Sequence, residues 1–212
     1  MLNSSFRHYY QPGRAGLPVL LLLHGTGGNE QDLVPLGETL LPGATLLSPR
    51  GQVSESGMPR FFRRLREGVF DLPDLHRRTG ELADFVTVAA REYGFDAGQV
   101  VAVGFSNGAN IAASLLLSHA QVLAGAVLFR AMTPFEPEMA PDLAGVPILL
   151  AAGQSDPLVP VANLENLAQL LKRAGAEVEV HWVPGGHNLS GEDVAAAKSF
   201  LARHFLPGDP GR

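Results

Sequence analysis

The stretch VVAVGFSNGANIAASLLL, residues 100–117, changes periodicity in its middle. Val100 to Val103 form an unbroken apolar run, the pattern of a strand covered on both faces. From Asn107 onward, small and apolar residues recur at helical spacing. Between the two lies Gly104-Phe105-Ser106-Asn107-Gly108, which matches G-x-S-x-G. A serine in so tight a strand-to-helix turn takes a strained backbone conformation, so the residues two positions away must be small to avoid collision. Taken alone, the pattern leaves two readings: a serine that only turns the chain, or a turn that presents its hydroxyl.

The flanking sequence repeats the same alternation. Short apolar runs at 18–24, 44–48, 100–105, 124–129, 146–152 and 176–183 read as strands, and FRHYY (6–10) alternates weakly, as an antiparallel edge strand would. Helical patterns fall between them. Residues 74–92 carry Leu75, Leu82, Phe85, Val86 and Ala89 at helical spacing, with Asp71 or Asp74 as start signal and Gly94 as stop. Residues 107–118 and 161–174 form two more, the latter ending at Gly175. A last helix starts at Ser190, with Asp193 three residues on in capping-box spacing. Strands alternating with helices imply βαβ units and a mostly parallel sheet of about seven strands with helices on both faces. Ligands gather at the carboxyl ends of such strands.

Four segments reach that edge with chemically capable residues. HGTGGN (24–29) is not a dinucleotide fingerprint, because Glu30 stands where the third glycine belongs, and no phosphate-binding GKS or GKT follows. GFSNG presents Ser106. GQSDPLVP (153–160) places Asp156 just past a strand, where on its own it reads as a turn or cap residue. PGGHNL (184–189) places His187 on a glycine-rich loop, and any one of the seven histidines taken blindly is more often structural. Their conjunction decides the matter: Ser106, Asp156 and His187 follow strands in the chain order of an α/β-hydrolase. In that reading His187 takes the proton of Ser106 as it attacks an acyl carbonyl, and Asp156 holds the imidazole tautomer. The N–H groups of Thr26 and Asn107 supply the oxyanion hole.

Composition sets the frame. The 212 residues, 46% hydrophobic and 17% charged, suit a single α/β domain over 1–212 with one large core. A net charge of −5 favours neither nucleic acid nor an anionic membrane. The cluster Arg60, Arg63, Arg64 and Arg66 reads as a solvated loop or helix start. With no cysteine there is neither a disulfide nor a thiolate metal site, and no metal is expected. The N-terminal MLNSSFRHYYQPG lacks the apolar core of a secretory signal, and Leu17 to Leu23 is too short to span a bilayer, so a cytoplasmic location is the expectation.

With these residues assembled, the chain resembles the small bacterial phospholipase/carboxylesterase family of α/β-hydrolases, closest to its short hydroquinone-responsive carboxylesterases. The resemblance covers residues 18–205 and rests on LLLHGTGGNEQDL, SPRG, RFFRRLREGVFD, GFSNGANIA, GQSDPLVP and GGHNL. It implies hydrolysis of short-chain carboxylic esters without a cofactor, Ser106, Asp156 and His187 as triad, Thr26 and Asn107 at the oxyanion positions, and no large lid. The loop 49–70 is the candidate cover, with Phe61 and Phe62 walling the acyl pocket unless it is only a surface loop. Gly25, Phe62, Leu158 and Leu189 are the expected substrate contacts, and Arg130 either touches substrate or pairs with an acid. The partner is a small-molecule ester, and a homodimer is compatible with this reading. Thioesterase or lysophospholipase-like activity remains open within the same fold, as does a non-catalytic binding protein that uses the cleft as a receptor.

Because the Thr26 donor is backbone, Thr26→Ala is expected to keep most esterase activity. Thr26→Pro, which removes the N–H, is expected to lose about 10²–10³-fold in kcat. An alanine variant as inactive as the proline variant would make the side chain the donor instead.

Overall fold

In the computed structural model, which describes residues 6–206, the chain forms a seven-stranded sheet flanked by five α-helices. Residues 1–5, the start of the stretch assessed for a secretory signal, and residues 207–212 lie outside the described residues. In chain order the elements are β1 (His8–Gln11), β2 (Val19–Leu23), α1 (Val34–Leu40), β3 (Thr45–Pro49), β4 (Val53–Glu55), β5 (Met58–Arg60), β6 (Arg64–Arg66), β7 (Val69–Phe70) and α2 (Leu72–Tyr93). Then follow β8 (Val100–Phe105), α3 (Asn107–Ser118), β9 (Gly125–Phe129), β10 (Pro147–Gly153), α4 (Val161–Arg173), β11 (Glu177–Val183) and α5 (Gly191–Phe205).

The strand order is β1-β3-β2-β8-β9-β10-β11, parallel throughout except for β1, which pairs antiparallel with β3. This is the expected α/β-hydrolase sheet, with FRHYY at its antiparallel edge. Strands β2, β9 and β10 are buried along their whole length, as their apolar runs require, and so is β3, whose Ser48 hydroxyl donates to the Leu22 carbonyl. One face of the sheet packs against α2, α3 and α4 through Leu82, Phe85, Leu115, Leu164 and Leu167. The opposite face packs against α1 and α5 through Leu40, Ala197, Phe200 and Leu201.

The helix boundaries follow their end chemistry. The Asp71 side chain accepts the Asp74 N–H to start α2, and Gly94 closes it in the left-handed conformation. Ser190 and Asp193 form the full capping box of α5. Helix α1 was not legible as a helix, because it is seven residues long and contains Pro35 and Gly37. Loop 49–70 is not a simple surface loop: β4 pairs with β5 and β6 with β7 as two antiparallel hairpins.

The β8–α3 turn lies against the end of β2. A Cβ on Gly108 would sit 1.9 Å from the Leu23 carbonyl oxygen, and one on Gly104 would sit 2.7 Å from the Ala109 backbone. Gly80, inside α2, has open space where its Cβ would project. Thermal unfolding of two variants therefore separates the two kinds of glycine. Gly80→Ala is expected to stabilise by about 0.5–1 kcal/mol, whereas Gly108→Ala is expected to lose about 3 kcal/mol or more. A Gly108→Ala protein as stable as the wild type would contradict the close packing of turn on strand.

Candidate active site

Ser106 stands between β8 and α3 with φ 52° and ψ −114°, a conformation rare for any residue but glycine. Its N–H donates to the Phe129 carbonyl at 2.9 Å, and its carbonyl accepts the Asn110 N–H at 2.9 Å. These bonds tie the turn to β9 on one side and to the first turn of α3 on the other. Asn107 opens α3, so its N–H has no intrahelical acceptor.

Asp156 follows β10, its carboxylate buried. Oδ1 accepts the N–H groups of Leu158 (2.8 Å) and Val159 (3.2 Å), which orients Oδ2 toward His187. His187 lies on the loop after β11, with Nδ1 2.8 Å from Asp156 Oδ2 and Nε2 2.9 Å from Ser106 Oγ. A carboxylate only accepts, so Nδ1 carries the proton and Nε2 of the neutral ring accepts from the serine hydroxyl. The Phe105 ring packs beside the imidazole, with centroids 5.3 Å apart. The three side chains come from the carboxyl ends of β8, β10 and β11, as their positions in the sequence implied.

Ser106 and His187 border a cleft of about 310 Å³, and the buried Asp156 stands behind His187. The cleft wall includes Thr26, Asn107, Asn110, Phe70, Met132 and Leu158. Of the expected substrate contacts, Leu158 lines this cleft. Gly25 does not: its carbonyl accepts from His24 Nδ1, and a Cβ there would meet the Phe105 ring at 2.8 Å. Leu189 packs against the core beneath α1 and α5. Phe62 is a correction as well. It is fully buried in the core and touches the edge of Phe70 (5.0 Å, 85°), so Phe70 forms the wall and Phe62 backs it. Burial of so large an apolar ring outweighs any gain from facing a partly polar cleft.

The arginine cluster divides. Arg63 is largely exposed and pairs with Asp71, and Arg64 is held by Glu55 and Glu67. Arg60, read from sequence as solvated, is only 3% exposed. It donates from Nε to the Phe62 carbonyl and from Nη1 to Thr26 Oγ1 at 2.6 Å. The same chain segment makes two further contacts: Gly27 N–H donates to Pro59 O (2.9 Å) and Phe61 N–H to Asn107 Oδ1 (2.7 Å). Residues 59–61 thus grip both halves of the expected oxyanion hole. The only sequence signal for Arg60 was the Phe61-Phe62 pair beside it.

The glycine loop is anchored at its base by His24. Gly51 N–H donates to His24 Nε2 at 3.0 Å, so Nδ1 holds the proton and donates to Gly25 O at 2.7 Å. Burial lowers the pKa of this imidazole and keeps it neutral. Glu30, where a dinucleotide site would need glycine, instead receives Arg7 Nε (2.7 Å) and Arg50 Nη2 (3.1 Å). Burial opposes its charge, but these two arginines outweigh it and hold the carboxyl low.

The phospholipase/carboxylesterase family model matches residues 10–205. The chain belongs to the phospholipase/carboxylesterase family. It is a hydrolase of carboxylic esters. The hydrolase MhqD of Bacillus subtilis (strain 168) is 50% identical over 194 residues, covering 92% of this chain and 96% of its own. The crystal structure of the Bacillus cereus carboxylesterase matches with a TM-score of 0.94 at 50% identity, covering 96% of each chain. A carboxylesterase from Mesorhizobium loti matches at 0.89 with 32% identity, over 95% of this chain and 97% of its own.

Because folding lowers the His24 pKa, the unfolded state binds more protons below about pH 6.5, and stability falls as the pH drops through that point. The unfolding midpoint is expected to decline between about pH 7 and 5, and less steeply in His24→Gln. Parallel curves would mean that His24 does not contribute to the decline.

Proposed function

We propose that this esterase hydrolyses short-chain carboxylic esters through an acyl-enzyme on Ser106. The observation that carries the reading is the continuous relay Ser106 Oγ–His187 Nε2 (2.9 Å) and His187 Nδ1–Asp156 Oδ2 (2.8 Å) at the wall of the cleft. As Ser106 Oγ attacks the acyl carbon, its proton passes to His187 Nε2, and Asp156 stabilises the imidazolium. The tetrahedral oxyanion is received by the N–H groups of Asn107, at the start of α3, and Thr26. On collapse of this intermediate His187 returns the proton to the departing alcohol. Water, deprotonated by the same imidazole, then releases the acid.

The preference for short acyl groups is supported by the cleft itself. About 310 Å³ is at the low end of ligand pockets. Its lining mixes apolar Phe70, Phe105, Met132, Leu158 and Val159 with polar or charged Thr26, Arg60, Arg64, Glu67 and Asn110, unlike a long apolar channel. In the same reading the protein acts as one domain in the cytoplasm on a small-molecule ester, without a cofactor, without nucleic acid and without inserting in a membrane, and it can work as a homodimer. Among the described residues, no helix is long and apolar enough to cross a membrane.

Initial rates on p-nitrophenyl acetate, butyrate and octanoate, for the wild type beside Ser106→Ala, test this. The rate is expected to fall with acyl length, and the variant to lose on the order of 10⁶ in turnover. Substantial turnover by Ser106→Ala would remove Ser106 as nucleophile. A preference for octanoate would point to the lipid-esterase alternative, and faster cleavage of matched thioesters to a thioesterase.

A further inference from the structure

Arg130 follows β9 with φ 57°, a left-handed conformation for a large side chain, and is 1% exposed although it borders the cleft. A guanidinium has five N–H donors, and all of them are used. Nε donates to Gly186 O at 2.9 Å, and Nη2 to Asn188 O at 2.8 Å. Nη1 donates to Ala151 O at 3.1 Å. The remaining two meet the Asp193 carboxylate, Nη1 with Oδ1 at 2.9 Å and Nη2 with Oδ2 at 2.7 Å. No donor is left for a substrate.

Gly186 and Asn188 are the residues on either side of His187. Their carbonyls orient the peptide units that flank the imidazole, in a segment whose own sequence, Gly185-Gly186, offers little resistance to rotation. Asp193 in turn belongs to the capping box of α5, accepting from Ser190 N and Oγ at 2.8 Å each. Burial opposes its charge, yet the bonds from Arg130 and Ser190 hold its carboxyl below the usual range. The planar fork of one side chain therefore joins the ends of β9 and β10, the start of α5 and both sides of His187.

We propose that Arg130 is the positioning residue for the general base: it sets the backbone on each side of His187 so that Nε2 meets Ser106 Oγ. This rests on the triad reading above. A lysine cannot replace it, because one ammonium cannot span two carbonyls and a bidentate carboxylate in these directions.

The test compares Arg130→Lys and Arg130→Met/Asp193→Asn with the wild type and Ser106→Ala on p-nitrophenyl acetate. The double variant replaces the buried ion pair by neutral groups and keeps an acceptor for the α5 cap, a change that proteins often tolerate. Circular dichroism checks folding, and proton NMR follows the low-field imidazole N–H resonance expected from the His187–Asp156 hydrogen bond. In both folded variants kcat is expected to fall about 10–100-fold with KM within about twofold, as for a misplaced catalytic group. The low-field resonance should broaden or vanish. Wild-type kcat in a folded variant, with Ser106→Ala inert, overturns the proposal and leaves the triad standing. A rise in KM alone also overturns it, by making Arg130 a substrate-binding residue. Activity that survives in Ser106→Ala would overturn the triad reading instead.

Discussion

Position 108 can carry no side chain, because a Cβ there would lie 1.9 Å from the Leu23 carbonyl oxygen. This contact between the first turn of α3 and the end of β2 organises the site. It brings the loop after β2 beside the start of α3, so Thr26 and Asn107 face the same cleft as Ser106. The same turn carries Ser106 in a backbone conformation of a kind that costs on the order of 1–3 kcal/mol. That strain is offset by burial: α3 from Asn107 to Leu117 is enclosed by the sheet and by α2.

Around this contact the protein builds its site from segments with little structure of their own. The glycine loop, the turn at Asp156 and the loop that holds His187 all depend on bonds from elsewhere. Pro59, Arg60 and Phe61 hold the first from the side. Two backbone N–H groups hold Asp156, and Arg130 holds the third. Short polar links between strands and loops give a site defined geometry while the loops keep the hydroxyl of Ser106 and the imidazole of His187 only half-buried, where strands would bury them.

The polar groups buried near the site are consistent with this. Arg130 with Asp193, Glu30 with Arg7 and Arg50, and Arg60 with Glu55 and Thr26 each satisfy a charge in a region of low water access. An unpaired charge in such a place would cost several kcal/mol, so removing one partner is far more disruptive than replacing both. The sheet supplies apolar burial and the pairs supply direction.

How much of this the sequence determines follows from range. Apolar runs and their spacing reveal the parallel sheet, since burial on both faces leaves a local pattern in β2, β3, β8, β9 and β10. Caps such as Asp71, Gly94 and the Ser190–Asp193 box act within a few residues, so they too are legible. Ser106, Asp156 and His187 could be read because each follows a strand in a recognisable local motif and the parallel topology brings those ends together. The roles of Phe62, Arg60 and Arg130 were decided only by tertiary structure. Whether an aromatic ring faces the cleft or the core depends on the path of two hairpins in loop 49–70. Arg60 and Arg130 find partners 34 and as many as 63 residues away, and no local periodicity records which distant carbonyl or hydroxyl a guanidinium will meet.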